Sequence, residues 1–325
     1  MISARILRWS AAACALAIAV ATGIVASKQT APTRPQPASP FFLRLAIATK
    51  LEALPFMVAE NAGIFSREGL RVKLVMAGSA EERDRLVASG KADGAVSDPV
   101  ALLKGASHGT HLVAIRSLLD ATPQRPLFRL LAAPDSGLHD LADLRGVPVA
   151  VAAGAQSEYV ARQTLARGGL PPGDIQLVNV PVTETRLALL RDGRVRAAIL
   201  PEPQATLAAA FGAIPLADAI DQSGLCCTLL AVRKELFWRE PETLRRLVAA
   251  LDRAAIASNA EKEAWRDLAV SRQLLPRHLD PSFELPDYSP RPLPAPAMLE
   301  PMAAWLQQAG HLREKPEYRA LFRTP

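Results

Sequence analysis

Apolar and polar positions fall into short alternating blocks along most of this chain. The run Leu43-Arg-Leu-Ala-Ile-Ala48 has the pattern of a strand, and Pro55 to Ala62 that of a short helix stopped at Gly63. Arg71 to Val75 reads as a second strand, Glu81 to Ala88 as a helix, and Gly94 to Val96 as a short buried strand. Strands alternating with helices predict βαβ units and mainly parallel sheets. A further junction follows at Val147 to Val151, then the loop Ala153 to Ser157, then a helix over Glu158 to Arg167 closed by Gly168-Gly169. From Pro241 a strongly amphipathic helix sets Leu244, Leu247, Val248, Leu251 and Ala255 on one face. Residues 276–301 contain eight prolines, which predicts an irregular surface wrap before a last helix over Met298 to Ala309.

The blocks echo each other. Leu74-Val75, Glu81, Arg83, Val87, Gly90-Lys91 and Gly94-Ala-Val96 recur as Leu177-Val178, Glu184, Arg186, Leu190, Gly193-Arg194 and Ala197-Ala-Ile199, always 103 residues on. A period this long predicts two duplicated lobes rather than a solenoid. The apolar runs 127–133 and 225–232 bracket the second copy. They predict two crossovers, with hinges near Ala132-Ala133 and Leu225-Cys226. The expected organisation is residues 42–130 with 226–325 in one lobe and 131–225 in the other.

Before residue 42 the pattern changes. Arg5 and Arg8 precede nineteen uncharged residues, Trp9 to Ser27, which is an export signal ending in small residues at Val25-Ala-Ser27. The same stretch is long enough for an uncleaved anchor. Residues 28–41 follow as a Pro-rich tether. The expected location is therefore periplasmic, with membrane contact only if residues 1–27 stay attached. The net charge of +6 is scattered and aromatics make up 5% of residues, so nucleic-acid binding is not expected. Beyond Cys14 the cysteines are the adjacent Cys226 and Cys227. They are read as small apolar residues opening a strand, with a strained vicinal disulfide as the alternative.

The order of motifs resembles the sulfonate, nitrate, taurine and thiamine-pyrimidine-precursor binding family of ABC importers. The pieces are Leu54-Pro-Phe-Met-Val-Ala59, Ala62-Gly-Ile-Phe65, Glu68-Gly-Leu-Arg-Val72 and Gly90-Lys-Ala-Asp-Gly-Ala95. They continue with Asp143-Leu-Arg-Gly-Val-Pro-Val149, Gly193-Arg194 leading to Pro201-Glu-Pro203, and Leu229 to Phe237 before Pro241-Glu242. Arg196 stands where the family carries an acid. The resemblance implies the type II periplasmic-binding fold: two α/β lobes, two crossovers and a ligand cleft between them. It implies an ABC permease and its ATPase as partners, and a monomer that captures a small-molecule ligand without cofactor or metal.

Parallel sheets bind ligands beyond the carboxyl ends of their strands. That rule selects Thr49, Lys50 and Glu52 after the first strand, Ser79 after the second, and Ser97 and Asp98 after the third. In the other copy it selects Gln156, Ser157, Glu184 and Glu202. Arg116 is added, with Lys50, as a partner for an anion. Helix N-termini at these loops favour anions, whereas the four acids would suit a cation, and Ser79, Ser157 and Thr183 would serve equally as helix caps. A small polar ligand, more anionic than not, is the expectation. No nucleophile elbow, zinc-protease, phosphate-loop or dinucleotide motif occurs, so no catalytic residue is expected. The alternatives are a membrane-anchored sensor using the same lobes and, less favoured, a cofactor-biosynthesis enzyme of the same fold.

Overall fold

A computed structural model describes residues 41–325 except 110–111, 123–124, 220–226 and 280–282. The export segment, the Pro-rich tether and the hinge predicted at Leu225-Cys226 therefore lie outside the described residues. In chain order the elements begin β1 (Phe41–Ile47), α1 (Leu54–Asn61), α2 (Ile64–Arg67), β2 (Leu70–Met76), α3 (Ala80–Ala88), β3 (Gly94–Ser97) and α4 (Pro99–Ser107). Then come β4 (Leu112–Asp120), β5 (Phe128–Ala132), β6 (Val149–Val151), α5 (Gln156–Arg167), β7 (Leu177–Asn179), α6 (Thr183–Arg191) and β8 (Ala197–Pro201). The chain continues through α7 (Gln204–Ala210), β9 (Ile214–Ala219), β10 (Cys227–Arg233), α8 (Lys234–Arg239) and α9 (Pro241–Ala260). It ends with α10 (Lys262–Ser271), α11 (Pro296–Gln308) and α12 (Tyr318–Leu321).

Two five-stranded sheets result, ordered β2-β1-β3-β10-β4 and β7-β6-β8-β5-β9. In each sheet one strand, β10 or β5, runs against the other four. The sequence echo maps strand for strand onto these sheets. Leu45 of β1 pairs with Leu74 and Gly94, and Val149 of β6 pairs with Leu177 and Ala197. Each partner in the second sheet lies 103 residues after its counterpart in the first. Most of the run 127–133 predicted as a crossing, including the hinge residue Ala132, is β5 itself, with Leu130, Leu131 and Ala132 wholly buried. β4 of the first sheet ends at Asp120, and Phe128 opens β5 in the second.

Strand alternation distributes the core. In the first sheet Leu43, Leu45 and Ile47 join a cluster with Phe56 of α1 and Leu244, Leu247 and Leu251 of α9, as the helix periodicity required. Ala46 points the other way, into a cluster shared with Leu130, Val149 and Ile199 of the second sheet. That shared cluster joins the two sheets. There Tyr159 of α5 packs on Trp305 of α11 with ring centroids 5.4 Å apart, and Lys104 donates to the Gly154 carbonyl at 2.8 Å. Ala150, Ala198 and Leu200 line a third cluster with α6 and α7 on the outer face of the second sheet.

Close packing explains one glycine. A Cβ on Gly94 would lie 2.6 Å from the Ala231 carbonyl oxygen, so β3 and β10 approach to a distance that excludes any side chain. Beside it, Asp93 ties β1 and β10 to the start of β3. Its carboxylate accepts from Arg44 Nη2 at 2.7 Å, Arg44 Nε at 3.0 Å and Arg233 Nη2 at 3.2 Å. Burial alone would raise the Asp93 pKa, but the hydrogen bonds and charges of Arg44, with Arg233, hold it below the ordinary carboxylate value.

The Pro-rich stretch departs from expectation. Up to Ala295 it is irregular, but it is not a surface wrap: Leu285 and Tyr288 are buried, and Tyr288 donates its hydroxyl proton to the Leu51 carbonyl at 2.9 Å, while α11 begins at Pro296. Cys227 is buried at the start of β10, as read from its apolar context, but it is disulfide-bonded rather than a plain apolar residue. Its partner lies outside the described residues. Among the described residues no helix is long and apolar enough to cross a membrane.

Candidate functional site

The carboxyl ends of the strands of both sheets open into one cleft, which holds a cavity of about 210 Å³. Four helices start at it: α3 and α4 from the first sheet, α5 and α6 from the second. Their N-terminal residues Ser79, Asp98, Gln156 and Thr183 all line the wall. Such N-termini carry unsatisfied N–H groups and partial positive charge.

All the residues predicted from the sequence line this cleft except Arg116. Thr49, Lys50 and Glu52 form its first loop, and Ser97 and Asp98 the end of β3. Arg116 is the correction. It lies in the middle of β4, 4% exposed, and donates from Nε to Asp252 of α9 at 2.7 Å. A strand whose two faces are both covered leaves a mid-strand arginine no route to the cleft, so it pairs inside the lobe. Gly154 likewise faces Lys104 and His311 rather than the cleft.

The capping alternatives resolve individually. Ser79 does cap α3, accepting from Glu82 N at 3.1 Å. Ser157 does not cap α5, whose N-cap is Ala155; its hydroxyl accepts from the Ala152 N–H at 2.9 Å and so shapes the preceding loop. Asp98 caps α4 through Ala101 N at 2.9 Å and also receives Arg83 Nη1 at 3.4 Å. Ser97 Oγ is different. It is buried and has no hydrogen-bond partner among the described residues, an arrangement that native interiors rarely leave standing.

Two arginines missed by sequence reasoning complete the site. Arg83 and Arg186 occupy the fourth residue of α3 and of α6, one in each lobe, and both reach the cleft wall. Burial works against the charge of Arg83, but the carboxylates of Asp84 and Asp98 more than compensate. Arg186 has no such partner. Its Nε donates to the Ile199 carbonyl at 3.1 Å, Nη1 to the Val180 carbonyl at 2.6 Å, and Nη2 to Thr183 Oγ1 at 3.2 Å. No carboxylate lies within ion-pair distance of it among the described residues. Burial pushes its pKa down to about 10, opposed only in part by the charge of Glu184, so it remains a cation at neutral pH. Glu202, on the same wall, meets Arg129 Nε at 2.9 Å and accepts from Thr206 Oγ1 at 2.8 Å. Burial raises the Glu202 pKa against these contacts. A signal for Arg186 was present in the sequence. The echo aligned it with Arg83, and a base in a first helical turn runs against the macrodipole preference.

The remaining wall mixes apolar residues, paired charges and the side chains of Lys50, Glu52 and Glu184, which form no ion pair among the described residues. Leu51, Leu119, Leu127 and Phe128 supply hydrocarbon. Arg291 sits between Asp120 at 3.7 Å and Asp287 at 3.8 Å. Among the described residues no group of three or more His, Cys, Asp or Glu is arranged to hold a metal ion. What the arrangement can do is enclose a small solute and offer it one buried, uncompensated positive charge.

Comparison with known proteins agrees with this geometry. The aliphatic sulphonate binding protein SsuA of Escherichia coli superposes with a TM-score of 0.74 at 18% identity, over 88% of this chain and 93% of that one. The desulfurization enzyme DSZB superposes with a TM-score of 0.61 at 18% identity, over 85% of this chain and 94% of that one. A putative thiamine biosynthesis protein of Haemophilus influenzae is 30% identical over 124 residues, 38% of this chain and 38% of its own length. The match therefore spans well under two thirds of that relative. The fold is the α/β periplasmic-binding fold, two lobes with a mixed sheet in each, and that fold carries both binders and an enzyme. The model of the NMT1/THI5-like family matches residues 50–264, more than half of the chain, and the chain belongs to that family.

Proposed function

We propose that this protein is the extracytoplasmic solute-binding component of an ABC importer, which closes its lobes on a small anion and delivers it to a permease. The observation that carries the reading is Arg186. An ion buried without a counter-ion costs a protein several kcal/mol, and that cost is retained where an anionic ligand will complete the pair. The unpartnered Ser97 hydroxyl offers the same ligand a hydrogen bond from the other lobe. Because the two groups belong to different lobes, a ligand that meets both has higher affinity for the closed form and shifts the population towards it.

Binding without turnover fits the same residues. Among the described residues Ser97 has no base within hydrogen-bond distance to activate it as a nucleophile. The family membership and the sulfonate-binding neighbour support a solute-capture role, and the export signal read over residues 1–27 supports action outside the cytoplasm. The test is a thermal-shift and calorimetric screen of the purified chain against sulfonates, nitrate, pyrimidines and amines. Saturable stabilisation by anions is expected, and a ligand at 100 times its dissociation constant adds about 2.7 kcal/mol. Preference for amines over anions, or conversion of a bound compound, would overturn the reading.

A further inference from the structure

The cleft has a wall that the family match does not include. The matched region ends at residue 264, yet Phe283, Pro286, Asp287 and Arg291 from the Pro-rich strap line the same cavity as Arg186. We propose that this strap is the specificity-determining wall of the site: it reads the body of the ligand while Arg186 holds the charged head, and it selects an organic anion with an apolar body over an inorganic one. The proposal rests on the anion-binding reading above and deepens it.

The strap is built to hold one shape. Arg266 Nη1 donates to the Phe283 carbonyl at 2.6 Å and Lys262 Nζ to the Leu285 carbonyl at 3.0 Å. Asn259 clasps both sides of one turn, donating to Asp287 Oδ1 at 2.7 Å and accepting from Tyr288 N at 2.9 Å. Ser117 of β4 donates to the Pro292 carbonyl at 2.9 Å, and Arg125, between β4 and β5, donates to the Glu284 carbonyl. The prolines at 286, 290, 292 and 294 fix φ along the same stretch, so little conformational entropy remains to be lost when a ligand arrives. A surface loop with no role in the cavity would not need this many anchors. The fully buried Tyr288 also ties the strap to the first cleft loop through the Leu51 carbonyl, so both loops keep a fixed separation.

What the strap presents is hydrocarbon. Phe283 and Pro286 face the cavity beside Leu51, Leu119 and Phe128, and the charge of Arg291 is spent between Asp120 and Asp287. Among the described residues the buried positive charge without a counter-ion comes from the second lobe, at Arg186, while Lys50 of the first cleft loop adds a partly exposed one. The cavity of about 210 Å³ lies below the range of roughly 300–1,000 Å³ typical of drug-sized ligands, which fits a short alkyl or single-ring body.

The experiment is calorimetric titration of the full chain and of Phe283→Ala, Phe283→Leu and Arg186→Met with methanesulfonate, butanesulfonate, benzenesulfonate and nitrate. In the parent protein affinity should rise from nitrate and methanesulfonate to butanesulfonate and benzenesulfonate. Phe283→Ala should weaken the two larger ligands by about 10- to 30-fold and leave methanesulfonate within about 2-fold, with Phe283→Leu restoring butanesulfonate. Arg186→Met should weaken all of them. Equal loss for every ligand in Phe283→Ala, or no dependence on body size in the parent protein, would overturn the strap's role while leaving anion binding intact. Failure of every anion to bind the parent protein would instead overturn the anion reading and this one with it. Unfolding midpoints of the variants without ligand, within a few degrees of the parent, show that the strap remains folded.

Discussion

Replacing Arg186 by methionine separates a binding residue from a structural brace. In the empty protein the guanidinium is 3% exposed and its pKa is pushed down to about 10. At 1.36 kcal/mol per pH unit, a depression of that size from the ordinary arginine value costs the folded state about 3 kcal/mol. The sign follows from the direction: a base whose folded pKa lies below its unfolded one destabilises the fold at all lower pH. The cost is relieved only as pH climbs past 10. Methionine removes that cost and keeps most of the volume. Against the gain, the Val180 and Ile199 carbonyls lose their donor, at about 1–3 kcal/mol for each acceptor left unsatisfied. The two effects nearly offset. At roughly 2 °C per kcal/mol for a chain of this size, the unfolding midpoint of the empty variant should stay within about 4 °C of the parent. Ligand binding should respond quite differently. Losing a buried charged partner costs about 2–5 kcal/mol, or some 30- to several-thousand-fold in affinity. The thermal shift that anion at 100 times the dissociation constant gives the parent protein should therefore fall to about a third or less at the same concentration. Differential scanning fluorimetry with and without ligand reads both quantities. A fall of more than 10 °C in the empty variant with the ligand-induced shift preserved would refute the reasoning, because Arg186 would then be holding the loop before α6 and nothing else.

Three further substitutions probe the rest of the frame. Ser97→Ala removes a buried hydroxyl that has no partner, so urea unfolding should be unchanged or slightly stabilised, while anion affinity drops by about 2- to 10-fold on titration calorimetry. Gly94→Ala drives a methyl group to 2.6 Å from the Ala231 carbonyl oxygen and should lower stability by about 2–3 kcal/mol, read as a lower urea midpoint with an unchanged slope. Asp93→Asn tests the ion cluster of the first sheet. Because the Asp93 carboxyl is held below its ordinary value, its contribution is present at neutral pH and is lost as pH falls through and below that value. The variant should lose about 1–2 kcal/mol at pH 7, discounted for solvent screening at half-exposed Arg44, and should unfold less steeply between pH 4 and pH 2 in circular-dichroism titrations.

The sequence by itself determined the repeating architecture. Period-two strands, the Gly-basic turns and the 103-residue echo are local signals, and the sheets follow them strand for strand. The echo was legible because duplicated units keep the same internal contacts, so Leu45 and Val149 pair alike. The rule that parallel strands bind at their carboxyl ends selects Thr49, Ser97, Gln156 and Glu202 from the sequence, and all four line one cleft. Tertiary structure decided what those residues meet. Whether an arginine is a ligand site or an internal brace depends on which carboxylates the fold brings within 4 Å, and no spacing in the chain records that. Arg116 met Asp252 across 136 residues of sequence and was lost to the site, whereas Arg186 met no carboxylate among the described residues. The strap shows the same limit. The prolines before residue 296 disfavour regular structure, but the long-range bonds from Asn259, Lys262, Arg266 and Ser117 are what turn an irregular stretch into a wall of the cleft.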